Sequence, residues 1–115
     1  MNKFSNLTAL NHKVSIYVPS NIAGKVVDNS LEINMVRAFL SDTFGGCTTI
    51  KAVGAWNNTE SGLVDVEDVT IVYANSSTLT DEALNLVWSE SRRMKESMNQ
   101  VCVSVEIDGA LYLVD

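Results

Sequence analysis

The chain has 115 residues, which fits one domain, and its 14 acidic and 8 basic residues give a formal net charge of −6. Such an acidic chain is a poor binder of duplex nucleic acid, because non-specific binding to phosphates needs a basic surface. No run approaches the roughly 20 apolar residues that cross a bilayer, and the N-terminus lacks the apolar run of a secretory signal. We therefore expect a cytoplasmic protein with neither duplex nucleic acid nor a membrane as its partner.

The first part of the chain predicts an arm, a strand and a loop. Residues 1–13 are mostly polar and are predicted to form an N-terminal arm, followed by a single domain over residues 14–115. From Val14 to Val18 apolar residues alternate with others, a period typical of a half-buried strand, and Pro19 ends the strand. Residues 20–28 are predicted to be a loop.

A helix is predicted to begin after Asn29, a good N-cap residue with Glu32 three positions later as in a capping box. Its apolar stripe comprises Leu31, Met35, Val36, Ala38, Phe39, Leu40 and Phe44. Gly45 and Gly46 end the helix, since glycine adopts the left-handed conformation of a helix C-terminus without strain. A phosphate-binding glycine loop has the opposite order, strand before helix, so we interpret the glycine pair as a cap.

The rest of the chain predicts two strands, a second helix and a hairpin. One side of a strand carries Thr48, Ile50, Ala52, Gly54 and Trp56. After a turn-rich loop at 57–62, the stretch 63–74 returns as a strand. A helix capped by Thr80 runs to about residue 99, and its apolar stripe comprises Leu84, Val87, Trp88, Ser91, Met94 and Met98. Residues 101–107 form a strand that turns Val101 toward the helices, and Asp108-Gly109 signals a tight turn to a short strand at 111–114.

This order of elements, β-α-β-β-α-β with a final hairpin, is the plan of a ferredoxin-like α+β fold. Right-handed crossovers place both helices on one face of its antiparallel sheet. The other face is predicted to carry Tyr17, Val72, Cys102 and Ser104, and to be covered by a ligand or a second subunit. We therefore expect a homo-oligomer with a ligand pocket at the subunit boundary or under the 57–62 loop, near Trp56.

Three stretches of the chain resemble a family of small bacterial and phage proteins of unknown function. They are FGGCTTIKAVGAW at 44–56, VTIVYA at 69–74 and MNQVCVSVEIDG at 98–109. The shared pattern is a helix that ends before a glycine, a T-x-x-x-A-x-G-x-W strand and a Q-x-x-V entry into the last strand. The resemblance covers about residues 14–114. It implies a ferredoxin-like fold and allows a phage origin, hence the host cytoplasm, and it transfers no catalytic residue.

Five residues are candidates for binding a small ligand. Arg37, Arg92 and Arg93 could hold a phosphate or carboxylate through paired hydrogen bonds, or could form ion pairs with glutamates on an exposed helix face. Trp56 and Tyr17 could stack on a base or another aromatic ligand, or could cover the core below the helices. The sequence leaves both pairs of alternatives open.

No pattern in the sequence assembles a catalytic or metal site. His12 is the single histidine and is tied to no nucleophile by spacing, and a transition-metal site is not expected without a His/Cys cluster. The acidic run Asp65–Asp68 lacks the EF-hand pattern and is interpreted as a solvated strand start. Cys47 and Cys102 are expected to be reduced thiols. We thus predict no catalytic residue, no metal and no cofactor.

The sequence favours one function and leaves two alternatives open. The first is a non-enzymatic binding protein, encoded by a phage, that sequesters a small nucleotide-derived signal to counter host defence. The acidic net charge agrees with this function only if oligomerisation gathers the arginines around one pocket. The second is a small cofactor-independent enzyme of the ferredoxin-like dimer type, an expectation that rests on analogy of fold. The third is a protein-interaction module that blocks a partner.

Overall fold

A computed structural model describes all 115 residues and contains a five-stranded sheet, a two-stranded hairpin and two long helices. The elements in chain order are a 3-10 turn (Lys3–Asn6), β1 (His12–Pro19), β2 (Asn21–Ile22), β3 (Lys25–Val26), α1 (Ser30–Phe44), β4 (Thr48–Asn57), β5 (Val64–Ser76), α2 (Asp81–Ser97), β6 (Val103–Ile107) and β7 (Ala110–Val114). The small β2–β3 hairpin lies within the segment predicted as a loop. Neither helix has the length and apolarity that crossing a membrane requires.

The large sheet has the strand order β4-β5-β1-β6-β7, and every neighbouring pair is antiparallel. Helix α1 leads from β1 to the edge strand β4, and α2 leads from β5 to β6, so each connection passes over one intervening strand. Both helices pack on the same face of the sheet. These features confirm the predicted ferredoxin-like α+β fold with a C-terminal hairpin extension.

Alternation along the strands produces the core between the sheet and the helices. The buried apolar residues are Val14, Ile16, Val18, Val36, Leu40, Val72, Ala74, Val87, Met94, Met98, Val103 and Val105. The register pairs Ile16 with Val72 on one side and with Val105 on the other, so all three lie on the helix side. Their neighbours along each strand point the opposite way. We call this second surface, which no helix covers, the open face; it includes Tyr17, Ile50, Trp56, Glu67, Ile71, Ser104 and Leu113.

Two residues of the predicted sheet faces are placed wrongly by the sequence. Val72 is fully buried in the core and does not lie on the open face, because its partner in the β1–β5 register is Ile16. Val101 does not face the helices either. It is 90% exposed, since the chain bends at Val101 and β6 begins only at Val103.

The predicted stripe of α1 agrees with the structure in part: Val36 and Leu40 are buried and Phe39 and Phe44 pack against the core, whereas Leu31, Met35 and Ala38 are exposed. The residues of α1 that are buried are Glu32, Val36 and Leu40, one row of positions four apart, while Leu31 is 70% exposed. Glu32 therefore points at α2 and closes no capping box. The cap is supplied by Asp28 instead, whose Oδ1 accepts hydrogen bonds from the backbone N and hydroxyl of Ser30. Asn29 donates its Nδ2 to the carbonyl of Pro19 at 2.8 Å.

Three other predicted element ends agree with the structure, and the end of α2 differs by two residues. Thr80 caps α2 by accepting from the backbone N of Ala83 at 3.1 Å. Gly45 ends α1 in the left-handed conformation, with φ of 93°. Asp108 and Gly109 both have positive φ, as the two-residue turn between β6 and β7 requires. Helix α2 ends at Ser97, two residues before the predicted end.

Candidate functional site

A cleft opens at the end of the sheet where β4 ends and β5 begins. Two adjoining cavities, of about 570 and 440 Å³, share Trp56, Glu67 and Gln100. Volumes of this size are typical of small-molecule sites. We call the two cavities together the Trp56 cleft. One of them reaches the β2–β3 turn, and the other extends along the open face.

The part of the Trp56 cleft on the open face is mainly apolar. Trp56 lies on β4 and is 47% exposed, so much of its indole surface is available for contact. Tyr17 lies on β1 and lines the same cavity together with Val69, Ile71 and Cys102. The register explains why these residues meet, because β1, β5 and β4 are consecutive strands of the sheet. The structure thus brings the two predicted aromatic residues to one site.

The other part of the Trp56 cleft is polar and acidic. The pairing of β5 with β4 places Glu67 opposite Gly54. Gly54 lies two residues before Trp56, so Glu67 and Trp56 are on the same face of the sheet. Its Oε2 accepts a hydrogen bond from Asn21 Nδ2 at 2.8 Å. Asp65 pairs directly with Trp56, and its Oδ2 accepts from Asn58 Nδ2 at 2.8 Å. Neutral amides therefore orient both carboxylates.

Gln100 links the β2–β3 hairpin to the end of α2 at the floor of the acidic cavity. Its Nε2 donates to the carbonyl of Asn21 at 2.8 Å and to that of Met98 at 2.9 Å. Two residues that line this cavity, Ala23 and Asn99, have positive φ although they are not glycine. Ala23 lies in the two-residue turn between β2 and β3, and Asn99 follows the end of α2, two places where the chain commonly adopts the left-handed conformation.

The electrostatics of the Trp56 cleft follow from its composition. Asp65 and Glu67 line it, and no lysine, arginine or histidine does. An anionic phosphate group would be repelled there, whereas a cation or a neutral polar group would be attracted. The glycine of β4 leaves room beside Glu67, because the nearest atom to a side chain at Gly54 would be the Glu67 carbonyl at 3.9 Å.

Arg93 does not line this cleft and is held by carboxylates between the two helices. Its guanidinium donates to Glu90 at distances of 2.7 to 3.1 Å and to Glu32 Oε2 at 3.0 Å. Ser97 donates to the other oxygen of Glu32 at 2.5 Å. We call Glu32, Glu90, Arg93 and Ser97 the helix cluster. All the charged groups of the cluster have partners within it.

The pKa values in the helix cluster agree with this pairing. Burial of Glu32 would by itself raise the pKa of its carboxyl, but the hydrogen bonds from Arg93 and Ser97 outweigh burial and hold the pKa below its usual value. Hydrogen bonding to Glu90 raises the pKa of the Arg93 guanidinium. Both groups are therefore charged at neutral pH and stabilise each other.

The other two arginines also lie on the helix side of the sheet. Arg37 donates its Nε to Thr49 Oγ1 at 2.8 Å and an Nη to Asn34 at 3.1 Å. Arg92 donates to the backbone carbonyl of Asp115 and lies 5.5 Å from the centre of the Trp88 ring. None of the three arginines lines the Trp56 cleft. The structure thus brings Trp56 and Tyr17 together in the cleft and leaves the three arginines outside it, each with different partners.

The remaining candidate groups do not form a site. His12 Nδ1 lies 2.7 Å from Asp108 Oδ2 at the opposite end of β1 from Pro19. Cys47 and Cys102 are both free thiols. No group of three or more His, Cys, Asp or Glu side chains is arranged to hold a metal ion.

No protein-family model matches the chain, and no curated protein matches it. Two solved structures share its fold over most of its length. A phage SAM lyase in complex with S-methyl-5'-thioadenosine superposes with a TM-score of 0.70 and 16% identity, covering 98% of this chain and 95% of that one. A phage SAM lyase in the apo state superposes with a TM-score of 0.63 and 15% identity, covering 90% and 88%. At these identities the similarity establishes a common fold.

Proposed function

We propose that the chain binds S-adenosylmethionine in the Trp56 cleft and cleaves it, as a phage protein that counters host defence. The observation that carries the proposal is the composition of the cleft, in which Trp56 and Tyr17 lie beside Asp65 and Glu67 with no basic residue. The full-length likeness in fold to phage proteins that are SAM lyases supports this choice of ligand.

The chemistry of the ligand suits the chemistry of this cleft. S-adenosylmethionine carries a sulfonium and an ammonium group, and each is attracted by a carboxylate such as that of Glu67. Its adenine ring is flat and can stack on Trp56. A phosphorylated signal nucleotide, the ligand class suggested by the arginines, would meet two carboxylates instead. We therefore propose a nucleoside-derived ligand without phosphate groups.

The proposed reaction breaks the bond between the sulfonium sulfur and the γ-carbon of the methionine chain. The electron pair of that bond goes to sulfur, which becomes the neutral thioether of S-methyl-5'-thioadenosine. The four-carbon fragment can be completed in two ways. In the first, a carboxylate of the cleft or a water molecule takes a proton from its β-carbon and an alkene forms; in the second, its own carboxylate attacks the γ-carbon and a lactone forms. The role that we propose for the acidic cleft is to hold the cationic substrate in place for this step.

The experiment is incubation of the purified protein with S-adenosylmethionine, followed by liquid chromatography and mass spectrometry. Formation of S-methyl-5'-thioadenosine is expected, and the mass of the second product identifies the alkene or the lactone. Glu67→Gln is expected to abolish most of the turnover. Asp68→Asn is the matched control, because Asp68 is the next residue of β5 and points to the other side of the sheet.

Two other outcomes of this experiment would favour a different function for the chain. Tight binding of S-adenosylmethionine by calorimetry, with no thioether formed, would replace cleavage by sequestration, the function favoured by the sequence. Neither binding nor turnover would contradict the proposal and favour a protein-interaction module.

We also propose that the chain self-associates through the open face, which would place the Trp56 cleft near a subunit boundary. Ile50 lies on this face and is 44% exposed. Monomers seldom leave large apolar patches uncovered. Ile50→Lys is expected to weaken the assembly in analytical ultracentrifugation, whereas Val53→Lys, on the other side of the same strand, is not. Equal sedimentation of all three proteins as monomers would contradict this proposal.

A further inference from the structure

The edge strand β7 is a second exposed apolar surface, separate from the Trp56 cleft. β7 pairs with β6 along one side only and is the last strand of the sheet. Its central residues Leu111, Tyr112 and Leu113 are 56%, 54% and 66% exposed. An exposed strand edge is a template for pairing with another strand, and proteins commonly protect such edges with charges, prolines or bulges.

The two edges of the sheet differ in this protection. The opposite edge strand, β4, contains Lys51, an exposed charge of the kind that prevents pairing. β7 has the sequence ALYLV, with no charged residue, no proline and no glycine. A five-residue strand without any of these features is suited to accept a partner strand.

The hairpin geometry determines which backbone groups of β7 are free. Asp108 and Gly109 form a two-residue turn, so Ile107 and Ala110, which flank the turn, exchange backbone hydrogen bonds. Bonded pairs then recur at every second residue of β7. The N–H and C=O groups of Leu111 and Leu113 therefore point away from β6, toward solvent.

A groove adjoins this edge on the helix side of the sheet. It has a volume of about 480 Å³, and 8 of the 11 residues that line it are hydrophobic, among them Leu84 and Trp88 of α2 and Tyr112 of β7. Trp88 is 56% exposed although it belongs to the apolar side of α2. The groove and the free edge thus form one continuous apolar surface.

We propose that β7 pairs in antiparallel fashion with β7 of a second copy of this chain, with the twofold axis at Tyr112. The backbone of Leu111 in one copy is then hydrogen-bonded to the backbone of Leu113 in the other. Tyr112 of one copy lies opposite Tyr112 of the other, at a non-hydrogen-bonded position. A twofold axis of this kind is perpendicular to the sheet, so the α2 helices of both copies lie on the same side. The two grooves meet across the axis and cover each other.

The surface is complementary to itself, which is why we assign it to a second copy. Every residue of β7 meets another apolar residue in this register, and no charge of the acidic chain lies on the strand. Trp88, Leu111, Tyr112 and Leu113 together expose on the order of 400 Å² of surface, about half of the roughly 800 Å² that each partner buries in a standard interface. The strand backbone and the rest of the groove supply further area.

The test is a disulfide that only this register allows. In a background with Cys47→Ala and Cys102→Ala, the variant Tyr112→Cys places two thiols about 4.5 Å apart at the Cα atoms, within disulfide range. Mild oxidation is expected to convert most of the protein to a covalent dimer on a non-reducing gel. Leu113→Cys is the matched control and is expected to give little dimer, because its own copy lies diagonally across the axis. Equal cross-linking of the two variants, or none, would overturn the proposal.

A second variant tests the backbone bonds of this interface, and Ile50→Lys separates it from the open face. Leu113→Pro removes an N–H that points to solvent and breaks no bond to β6, so circular dichroism is expected to stay unchanged while the dimer dissociation constant rises more than tenfold in analytical ultracentrifugation. Ile50→Lys is expected to leave the Tyr112→Cys cross-link intact. Turnover of S-adenosylmethionine is expected to persist in Leu113→Pro, so failure of this interface and failure of the proposed function are measured separately. An unchanged dissociation constant in Leu113→Pro would contradict β7 pairing.

Discussion

The helix cluster and the Trp56 cleft each hold two carboxylates, and they use them in opposite ways. In the helix cluster, Glu32 and Glu90 share one guanidinium, that of Arg93, and Glu32 is only 8% exposed. In the cleft, Asp65 and Glu67 accept hydrogen bonds from amides and have no cation near them. The first arrangement is complete without a ligand, and the second leaves negative charge facing a cavity.

Because of this difference, the carboxylates of the cleft are better candidates for ligand binding than the arginines are. Arginines suggest anion binding, yet a guanidinium that already donates hydrogen bonds to two carboxylates has few donors free for a ligand, and its charge is already neutralised. Carboxylates at a strand start suggest solvation, yet their charge is not neutralised and aromatic surface lies beside them. What makes a charged residue available to a ligand is therefore the absence of an internal partner of opposite charge.

The largest effect that we expect comes from removing the charge of Glu67. Glu67→Gln keeps the shape of the side chain but removes its negative charge, so the affinity for S-adenosylmethionine should fall roughly 10- to 100-fold, the equivalent of one hydrogen bond to a charged group. Isothermal titration calorimetry measures the change. Thermal unfolding should be nearly unaffected, because the carboxylate is only half-buried and has no ionic partner.

Arg93→Met is the counterpart of this variant in the helix cluster and should leave affinity unchanged. A loss of affinity in Arg93→Met with full affinity in Glu67→Gln would reverse the comparison. It would return the binding site to the helix side of the sheet.

For stability we expect the reverse, a loss in the helix cluster variant and little change in the cleft variant. Arg93→Met leaves Glu32 and Glu90 without their common cation, and we expect the free energy of unfolding to fall by about 2 kcal/mol. This value is below that of a fully buried pair, because Arg93 is about one-third exposed. Urea denaturation measures it. Arg92→Met is the matched control one residue earlier, and its loose pair with Glu96, at 3.8 Å, should contribute less than about 1 kcal/mol. Equal losses in both variants would mean that the helix cluster adds nothing beyond a surface pair.

The sequence predicts much of the fold because the fold depends on local patterns. The alternation in β1 and β4, the cap at Thr80 and the turn at Asp108 each arise from a few adjacent residues, and the structure has all of them. The strand register is different, because it depends on which residues meet across strands. For this reason the sequence pattern alone places Val72 on the wrong face of the sheet.

The candidate site depends even more on contacts between distant residues. Glu67 is 46 residues from Asn21, and Arg93 is 61 residues from Glu32. No spacing rule connects such residues, so the sequence assigned the acidic run to solvent and Arg93 to a possible ligand. One local feature does connect two residues of the site. The register of the β4–β5 hairpin by itself places Glu67 and Trp56 on the same face of the sheet.

The pH dependence of stability sharpens the description of the helix cluster. The pKa of Glu32 lies below its ordinary value of 4.5 in the folded protein. A lowered folded-state pKa means that the ionised carboxyl stabilises the fold fully above about pH 4.5 and that this contribution disappears as the pH falls through the folded-state pKa. Glu32→Gln should therefore lose less stability than the wild type between pH 7 and pH 3, by on the order of 1 kcal/mol.

Urea titrations at several pH values provide this comparison. Asp28 and Asp108 also have lowered pKa values, but both are present in the two proteins and cancel in the difference. Parallel curves for wild type and variant would show that Glu32 is not the group that responds to acid.

The smallest effect concerns Gly45 and Gly46, the one remaining place where a sequence motif could suggest an anion site. Gly45 has φ of 93°, which strains any side chain, so Gly45→Ala should lower the free energy of unfolding by on the order of 1 kcal/mol. Gly46 has no positive φ and open space around it, and Gly46→Ala should change stability by less than about 0.5 kcal/mol. Both variants should bind S-adenosylmethionine like the wild type, because the glycines only end α1. Loss of binding in both, with stability retained, would make the glycine pair a rival to the Trp56 cleft.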